Sequence, residues 1–436
     1  MSKSITFTVQ PSESLNGEVR VPGDKSMSHR SIMLGSLAEG VTHVKGFLNA
    51  EDAVSTLKAF RAMGVEITDP VNGEVTIHGV GKHGLKAPKE PLDLGNSGTS
   101  MRLLSGLLAG QDFDCILTGD ESLSSRPMRR VTEPLALMGA NIDTQENGTA
   151  PLHIHGTKNL KGIDYVLPMA SAQVKSCVLL AGMYANGETT TTEPAPTRDH
   201  TERMLNGFGY PVQVEGSKAS INSDGKLTAA NIDVPSDISS AAFFLVGASI
   251  AKDSDVTLQH VGMNPTRTGV IDILRLMGAN IEVMNEREVG GEPVADLRVT
   301  SSQLKGINIP EELVPLAIDE FPVLFVAAAC ATGQTVLTGA EELRVKECDR
   351  IQVMADGLQT LGVDAQVTAD GMIINQSQIG GGDVHSHHDH RIAMAFSIAG
   401  LRANAPITIQ DCANVNTSFP EFRDLATSLG LKLTSE

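Results

Sequence analysis

The stretch VPGDKSMSHR, residues 21–30, sets Lys25, Ser26, His29 and Arg30 just after a Pro-Gly turn and Asp24, where an apolar helical run begins. Five other apolar runs open on the same residue types: NSGT at 96–99 with Arg102 following, SAQ at 171–173, SDISS at 236–240, DE at 319–320 and HHDHR at 387–391. A helix start carries about +0.5 of an elementary charge and several N–H groups without intrahelical partners. Lys25, Arg30, Arg102 and Arg391 oppose that field unless an anion joins them. More cations precede the helical segments in between: Arg126, Arg129 and Arg130 in SSRPMRR, Arg198 in TRDHTE, Arg267 in NPTRTG, and Arg344, Lys346 and Arg350 in LRVKECDR. The chemistry such groups support is capture of phosphate or carboxylate, where amides, dipole and cations converge. Each Asp, Asn, Ser or Thr in these places is equally a plain N-cap. Some of the arginines, Arg129 and Arg203 first among them, read as surface ion pairs.

The elements that carry these residues repeat. FRAMGVEI (60–67), LALMGANI (135–142), LNGFGYPV (205–212), LRLMGANI (274–281), LQTLGVDA (358–365) and ATSLGLKL (426–433) each close a helix on a glycine and run on into a strand. Gly64, Gly139, Gly209, Gly278, Gly362 and Gly430 stand where a left-handed residue ends a helix, which costs glycine little. Interleaved with them are the six apolar runs, rich in Ala, Gly, Ser and Leu and nearly uncharged after the first turn, which reads as helices buried on most faces. The repeating unit is helix–strand–helix–strand–strand, six times over. Three units make each half, with a boundary near Pro235 and residues 1–18 expected to pair as a strand with the later half.

Composition narrows the partners. A net charge of −18 over 436 residues argues against nucleic acid and against an anionic membrane. Aromatic residues are only 3%, with no Trp, which removes base-stacking platforms. The N-terminal residues lack an apolar signal core, and no run approaches the ~20 apolar residues of a membrane span. The five scattered cysteines fit reduced thiols in a cytoplasmic setting. HSHHDHR lacks matching ligands elsewhere and is read as a helix start rather than a metal cluster. What remains is an acidic body with basic sockets suited to a small polyanion.

Taken together and in order, VPGDKSMSHR, GNSGTSMRLL, SSRPM, PMASAQVKSCVLLAG, TRDHTERML, LRVKECDR and DHRIAMAF resemble the 5-enolpyruvylshikimate-3-phosphate synthase (3-phosphoshikimate 1-carboxyvinyltransferase) family of enolpyruvyl transferases. SAQVKS, NPTRTG and EELRVKE are similar to the subclass that contains glyphosate-tolerant bacterial enzymes. The resemblance implies an α/β fold of two similar domains, each of three βαβαββ units with buried helices, an inside-out α/β barrel. One domain would span 19–236 and the other 1–18 with 237–436, the active site lying in the cleft between them. It implies transfer of the enolpyruvyl group of phosphoenolpyruvate to the 5-hydroxyl of shikimate 3-phosphate, through a tetrahedral intermediate that releases phosphate. That is a step of the shikimate pathway to chorismate and the aromatic amino acids.

By the same resemblance Asp319 is the base and Glu347 its acid partner, with Lys25 and His390 also catalytic. Shikimate 3-phosphate would be held by Lys25, Ser26, Arg30, Ser171, Gln173, Arg198, Asp319 and Lys346. Phosphoenolpyruvate would be held by Lys25, Gly98, Arg126, Gln173, Lys346, Arg350 and Arg391. No metal or organic cofactor is implied, and the chain is expected to be a monomer. Asp319 read as an N-cap, or Glu347 as an ion-pair partner of Arg350, would be a weaker proton carrier.

Departures from the family pattern are Ala172 where many members have a second Ser, Glu342 in place of an Asn and Thr417 in place of a Lys; Ser97 and Cys348 are small polar variants. Gly98 leaves room beside the phosphoenolpyruvate phosphate, so glyphosate is expected to inhibit. The alternatives are the UDP-N-acetylglucosamine enolpyruvyl transferase, whose mobile-loop Cys is missing from GDESLSSRPM, an RNA 3′-phosphate cyclase, disfavoured by charge, and an inactive binding homologue.

Overall fold

The computed structural model describes residues 5–436. The chain divides into two compact units, Gly23–Val234 and Met1–Pro22 with Pro235–Glu436. The cuts lie near those expected, after 18 and after 236. Strand pairing sets them: Asn16–Val19 joins Asp255–Gly262, and Asn231–Asp233 joins Glu39–Lys45.

In Gly23–Val234 one sheet pattern is written three times. Glu39–Lys45 pairs antiparallel with Val75–Val80, which pairs with Glu66–Ile67, and Asn231–Asp233 lies parallel at the other edge. Cys115–Thr118, Leu152–His155 and Asn141–Asp143 repeat this with Leu92–Asp93 at the parallel edge. Thr189–Thr192, Lys218–Ile221 and Val212–Glu215 do so with Asp164–Val166. In the other unit the start of the chain supplies two strands. Asn16–Val19 is the parallel edge beside Asp255–Gly262, and Phe7–Gln10 sits between Ile407–Gln410 and Lys432–Ser435. The pairing expected of the first residues with the later half is therefore observed.

The repeat has two irregularities. Gln334–Leu337, Met372–Asn375 and Ala365–Val367 form a three-stranded sheet, with single parallel bridges at Lys305–Thr332 and Asn308–Val336 where an edge strand would lie. The helix ahead of LALMGANI is broken into Glu121–Ser125 and Arg129–Leu137. Pro127 accounts for the break, because a residue before proline is driven out of the helical region, and Arg126 is extended at φ −77°, ψ 143°.

The six apolar runs are helices Lys25–Leu37, Gly98–Ala109, Ala172–Gly182, Ile238–Ile250, Phe321–Cys330 and His390–Ala399, buried along nearly their whole length. Each unit has its own apolar core built around three of them. The six repeat glycines all have positive φ, from 78° at Gly209 to 120° at Gly430, as helix-ending residues require. Gly106 answers a different demand. A Cβ there would lie 2.1 Å from the Cys177 carbonyl oxygen of the neighbouring helix, so the two backbones meet only because the side chain is missing.

Gly106→Ala should therefore cost at least about 1–3 kcal/mol by overpacking against backbone that cannot rotate away. Gly207→Ala, on a helix where nothing lies within 4 Å of the new carbon, should leave stability unchanged or raise it by up to about 1 kcal/mol. Urea unfolding of the two variants checks both; equal midpoints would contradict the close helix contact.

Candidate active site

The starts of the buried helices are built alike, with one exception. Asp24 accepts from Met27 N–H at 2.8 Å, Ser97 from Ser100 at 3.1 Å, Ser171 from Val174 at 3.4 Å, Asp237 from Ser239 at 2.8 Å and Asp389 from Arg391 at 2.9 Å. The helix Phe321–Cys330 has no side-chain cap. Its N-cap is Glu320, at φ −93°, ψ −7°, and Asp319 sits in the 3₁₀ turn Ile318–Glu320 before it. The reading of Asp319 as a cap is thus replaced. An N-cap side chain reaches back only from extended backbone, and here the carboxylate reaches other groups.

In Gly23–Val234 the first turns hold a network of cations and amides. Gln173 accepts from Arg102 Nη1 and donates to Thr99 Oγ1 at 3.0 Å, joining the second and third buried helices. Arg126, aimed by the Pro127 break, donates to the Asn96 carbonyl at 3.1 Å and to Asn96 Oδ1 at 2.7 Å. A Cβ on Gly98 would meet Arg102 Nη1 at 3.2 Å and Arg126 Nη1 at 3.3 Å, so the guanidinium groups close over a glycine. Lys25 pairs with Asp52 at 2.9 Å. Arg30 is buried and donates to Thr201 at 2.7 Å, to the Ser26 carbonyl at 3.0 Å and to Ser176 at 3.0 Å. Arg198 is half-buried in the segment before helix His200–Gly207.

Sequence reasoning gave no role to Lys175. It is buried and bridges Glu193 at 3.0 Å and Glu202 at 2.8 Å. Burial opposes its charge, but the two carboxylates outweigh that and hold it above the ordinary lysine range. Asn96 was also missed as the partner that orients Arg126. The Asn-Ser pair before Gly98 was the available signal, read only as a cap.

In the other unit Asp319 is the meeting point. Arg350 Nη1 donates to its Oδ1 at 3.1 Å and Lys346 Nζ lies 3.6 Å from the same oxygen, while Arg391 Nη2 lies 4.0 Å from Oδ2. Arg350, 1% exposed, also donates to Asp389 through Nε at 2.7 Å and to Glu347 through Nη2 at 2.7 Å. Burial works against its charge, yet Asp389, Glu347 and Asp319 together lift it well above the usual arginine range. Glu347 does make the ion pair with Arg350 weighed as its alternative. Lys346 and Arg391 are held more loosely, at 3.7 Å from Glu342 and 3.8 Å from Glu320, beyond hydrogen-bond reach. His390 is buried in the first turn of its helix. Arg267, counted among the socket cations, instead pairs with Asp237 at 3.0 Å and Ser239 at 2.7 Å inside the same unit. Arg344 braces its own loop through Asp349 and the carbonyls of Thr368 and Ala369.

A fold of repeated βαβαββ units, with basic groups gathered at buried helix starts, defines a small-anion site on an α/β scaffold. The family model for EPSP synthase (3-phosphoshikimate 1-carboxyvinyltransferase) matches residues 9–425, and the chain belongs to that family. It is 68% identical to a 3-phosphoshikimate 1-carboxyvinyltransferase of Hydrogenovibrio crunogenus over 100% of this chain and 99% of the relative. It is 69% identical to one of Methylococcus capsulatus over 99% of each. The structure of an EPSP synthase from Acinetobacter baumannii superposes with a TM-score of 0.89 at 61% identity, covering 99% of this chain and 100% of that one. These matches do not favour the UDP-N-acetylglucosamine alternative.

One group beside the site sets a pH dependence. His29 is buried against Thr56 Oγ1 at 2.8 Å. Burial first, and then Lys25 and Arg30, hold its pKa well below the ordinary value. Above pH ~6.5 it is neutral both folded and unfolded and adds no slope. As pH falls below ~6.5 the unfolded chain takes up a proton that the folded one refuses, and stability is lost at up to about 1.4 kcal/mol per pH unit. His29→Gln should remove about one proton from that slope in urea unfolding between pH 7.5 and 5; an unchanged slope would show His29 protonated in place.

Proposed function

We infer that this chain is the enzyme that transfers the enolpyruvyl group of phosphoenolpyruvate to the 5-hydroxyl of shikimate 3-phosphate, releasing phosphate. The observation that carries the mechanism is Asp319, a carboxylate faced by Lys346, Arg350 and Arg391. We propose that the helix-start clusters of the two units serve one substrate pair.

The reaction needs two proton movements. Asp319 takes the proton of the 5-hydroxyl as the hydroxyl oxygen attacks C2 of phosphoenolpyruvate. Glu347, paired with Arg350 before substrate arrives and a weak proton donor in that state, delivers a proton to the methylene carbon C3 once it has exchanged Arg350 for the bound substrates. The product is a tetrahedral ketal phosphate. Glu347 then takes a proton back from the new methyl group as the C–O bond to phosphate breaks, and Asp319 returns its proton to the departing phosphate, which restores the vinyl group and releases inorganic phosphate. Fixed cations and helix starts stabilise the charge in both steps without reorganising.

Lys346 and Arg391, held at ion-pair distances only, can exchange their present partners for substrate at small cost. They are proposed with Lys25, Gly98, Arg126 and Gln173 for phosphoenolpyruvate. Ser26, Ser171, Gln173, Arg198, Lys25 and Lys346 are proposed for shikimate 3-phosphate. Arg30 and Arg350, whose donors are engaged by protein acceptors, enter chiefly as positioning residues and touch substrate only by trading a partner. His390 is proposed to orient the acid–base pair. The five free cysteines accord with a reducing, cytoplasmic setting, and no described helix is long and apolar enough to cross a membrane. A monomer is proposed, since no feature of the site asks for a second chain.

Phosphate release should require both substrates together. Asp319→Asn should lower kcat by about 10²–10⁴ while leaving KM little changed; near-normal turnover in that variant would remove Asp319 from the chemistry. Glyphosate should inhibit the parent enzyme in competition with phosphoenolpyruvate. Gly98→Ala, by pressing a methyl group against Arg102 and Arg126, should raise the inhibition constant roughly tenfold or more, and KM for phosphoenolpyruvate by less. Inhibition constants of the two proteins decide it, an insensitive parent enzyme being the contrary result.

A further inference from the structure

The outward face of one sheet in Gly23–Val234 carries a cluster that the transferase reaction does not use. His153 and His155 are two apart on the strand Leu152–His155, so both point to the same side. On the neighbouring strands His153 lies opposite Ile116 and Asp143, and His155 opposite Asn141, with Asp114 just ahead of Cys115. The two imidazole rings stand 4.2 Å apart between centroids. His155 Nδ1 faces Asp114 Oδ2 at 3.1 Å, and its Nε2 faces Asp143 Oδ2 at 2.9 Å. Asp114 is held from behind by the Gly156 N–H at 3.2 Å. One ligand atom each from Asp114, His153 and His155 lies within 4.8 Å of the other two.

We propose that Asp114, His153 and His155 bind one divalent transition-metal ion of the zinc class, with water in the fourth position. Two features of the geometry point that way. His155 has a carboxylate at each nitrogen: as an imidazolium it donates to both, and once neutral it leaves one carboxylate facing a bare nitrogen, where a metal ion can take the place of the second proton. If Nε2–H donates to Asp143, the bare Nδ1 lone pair meets Asp114, and a metal ion turns that contact from repulsion into shared ligation. The spacing also suits it. Metal–ligand bonds of about 2.0–2.1 Å in a tetrahedron put neighbouring ligand atoms about 3.3 Å apart, against the 3.1 Å observed between His155 Nδ1 and Asp114 Oδ2. His153 closes the remaining distance by side-chain rotation on an open surface. Asp143 then acts as the outer carboxylate that fixes the tautomer of a ligating histidine.

The site is remote from the chemistry within its unit. Asp114 follows the C-terminal end of helix Gly98–Ala109, which begins at Gly98, so about 18 Å of helix separates Gly98 from that end. The ion would clamp strand Cys115–Thr118 to strand Leu152–His155 and stabilise the folded unit by mass action. The histidines of HSHHDHR are the internal control: among the described residues they do not form such a ligand group with any carboxylate, although His385 and His387 stack at 4.5 Å.

The experiment is calorimetric titration of tag-free, metal-stripped protein with zinc ion, together with His153→Gln, Asp114→Asn and His387→Ala. One ion per chain is expected. Affinity should fall on the order of tenfold or more in each of the first two variants and stay unchanged in the third. Zinc should raise the melting temperature of the parent protein and not that of His153→Gln, and chelator should leave turnover unchanged. Both ligand variants are at surface positions, and their metal-free melting temperatures verify folding. Absence of stoichiometric binding, binding that persists in His153→Gln and Asp114→Asn, or binding lost in His387→Ala would each overturn the proposal.

Discussion

A helix buried on every side can offer a substrate only its first turn. That constraint organises the whole molecule. The six central helices have apolar flanks on all faces, so their N–H groups, their dipoles and the few charges they carry are concentrated at one end. The same end must be satisfied in the absence of ligand, since unpaired amides in a dry interior are costly. Five starts solve this with an Asp or Ser cap. The cap and the anion are thus rivals for the same amides, and the helices meet both demands by capping one N–H and surrounding the others with guanidinium and ammonium groups.

The strongest of these arrangements is the buried one around Arg350. Removing a guanidinium from water costs several kcal/mol, and one carboxylate rarely recovers that. Arg350 has three, with Asp389 wholly buried beside it. Asp389 works twice, as cap to Arg391 N–H and as acceptor to Arg350. The arrangement fixes the direction of Asp319 and Glu347 more firmly than it stabilises the fold. A proton-transfer pair gains from such fixity, because geometry precedes pKa in deciding whether a base reaches its proton.

Much of this was legible in the sequence, for definite reasons. The repeat was visible because a glycine ends a helix at the same point in each unit, and the buried helices because their charge vanishes after one turn. Long-range pairing was not. Arg267 and Asp237 are 30 residues apart, and Arg350 and Asp389 are 39. Local reading therefore took Arg267 for a socket cation and gave Asp389 no partner. Asp319 shows a subtler limit. Whether an acid before a helix caps it depends on the backbone angles of the preceding turn, and the 3₁₀ turn Ile318–Glu320 leaves no residue-level signal beyond DE before an apolar run. The same limit hid the cluster of Asp114, His153 and His155, which requires the register of two strands.

The sites of chemistry coincide with the places where the repeat is broken. A sixfold scaffold makes equivalent positions equivalent, and a catalytic site needs them to differ. Pro127 interrupts one outer helix and thereby turns Arg126 toward Asn96. At Gly98 two guanidinium groups close over a residue that has no side chain. Of the six buried helices Phe321–Cys330 is the one without a side-chain cap, and Asp319, in the turn before it, faces Lys346, Arg350 and Arg391 instead. Each departure sacrifices a locally favourable interaction that the sibling repeats retain. Such losses persist in a folded protein when the surrounding structure compensates them, here by the ion pairs of Arg350 and the amide bridge of Gln173. Duplication accounts for the fold; reactivity resides in the exceptions that the duplicated frame is stable enough to tolerate.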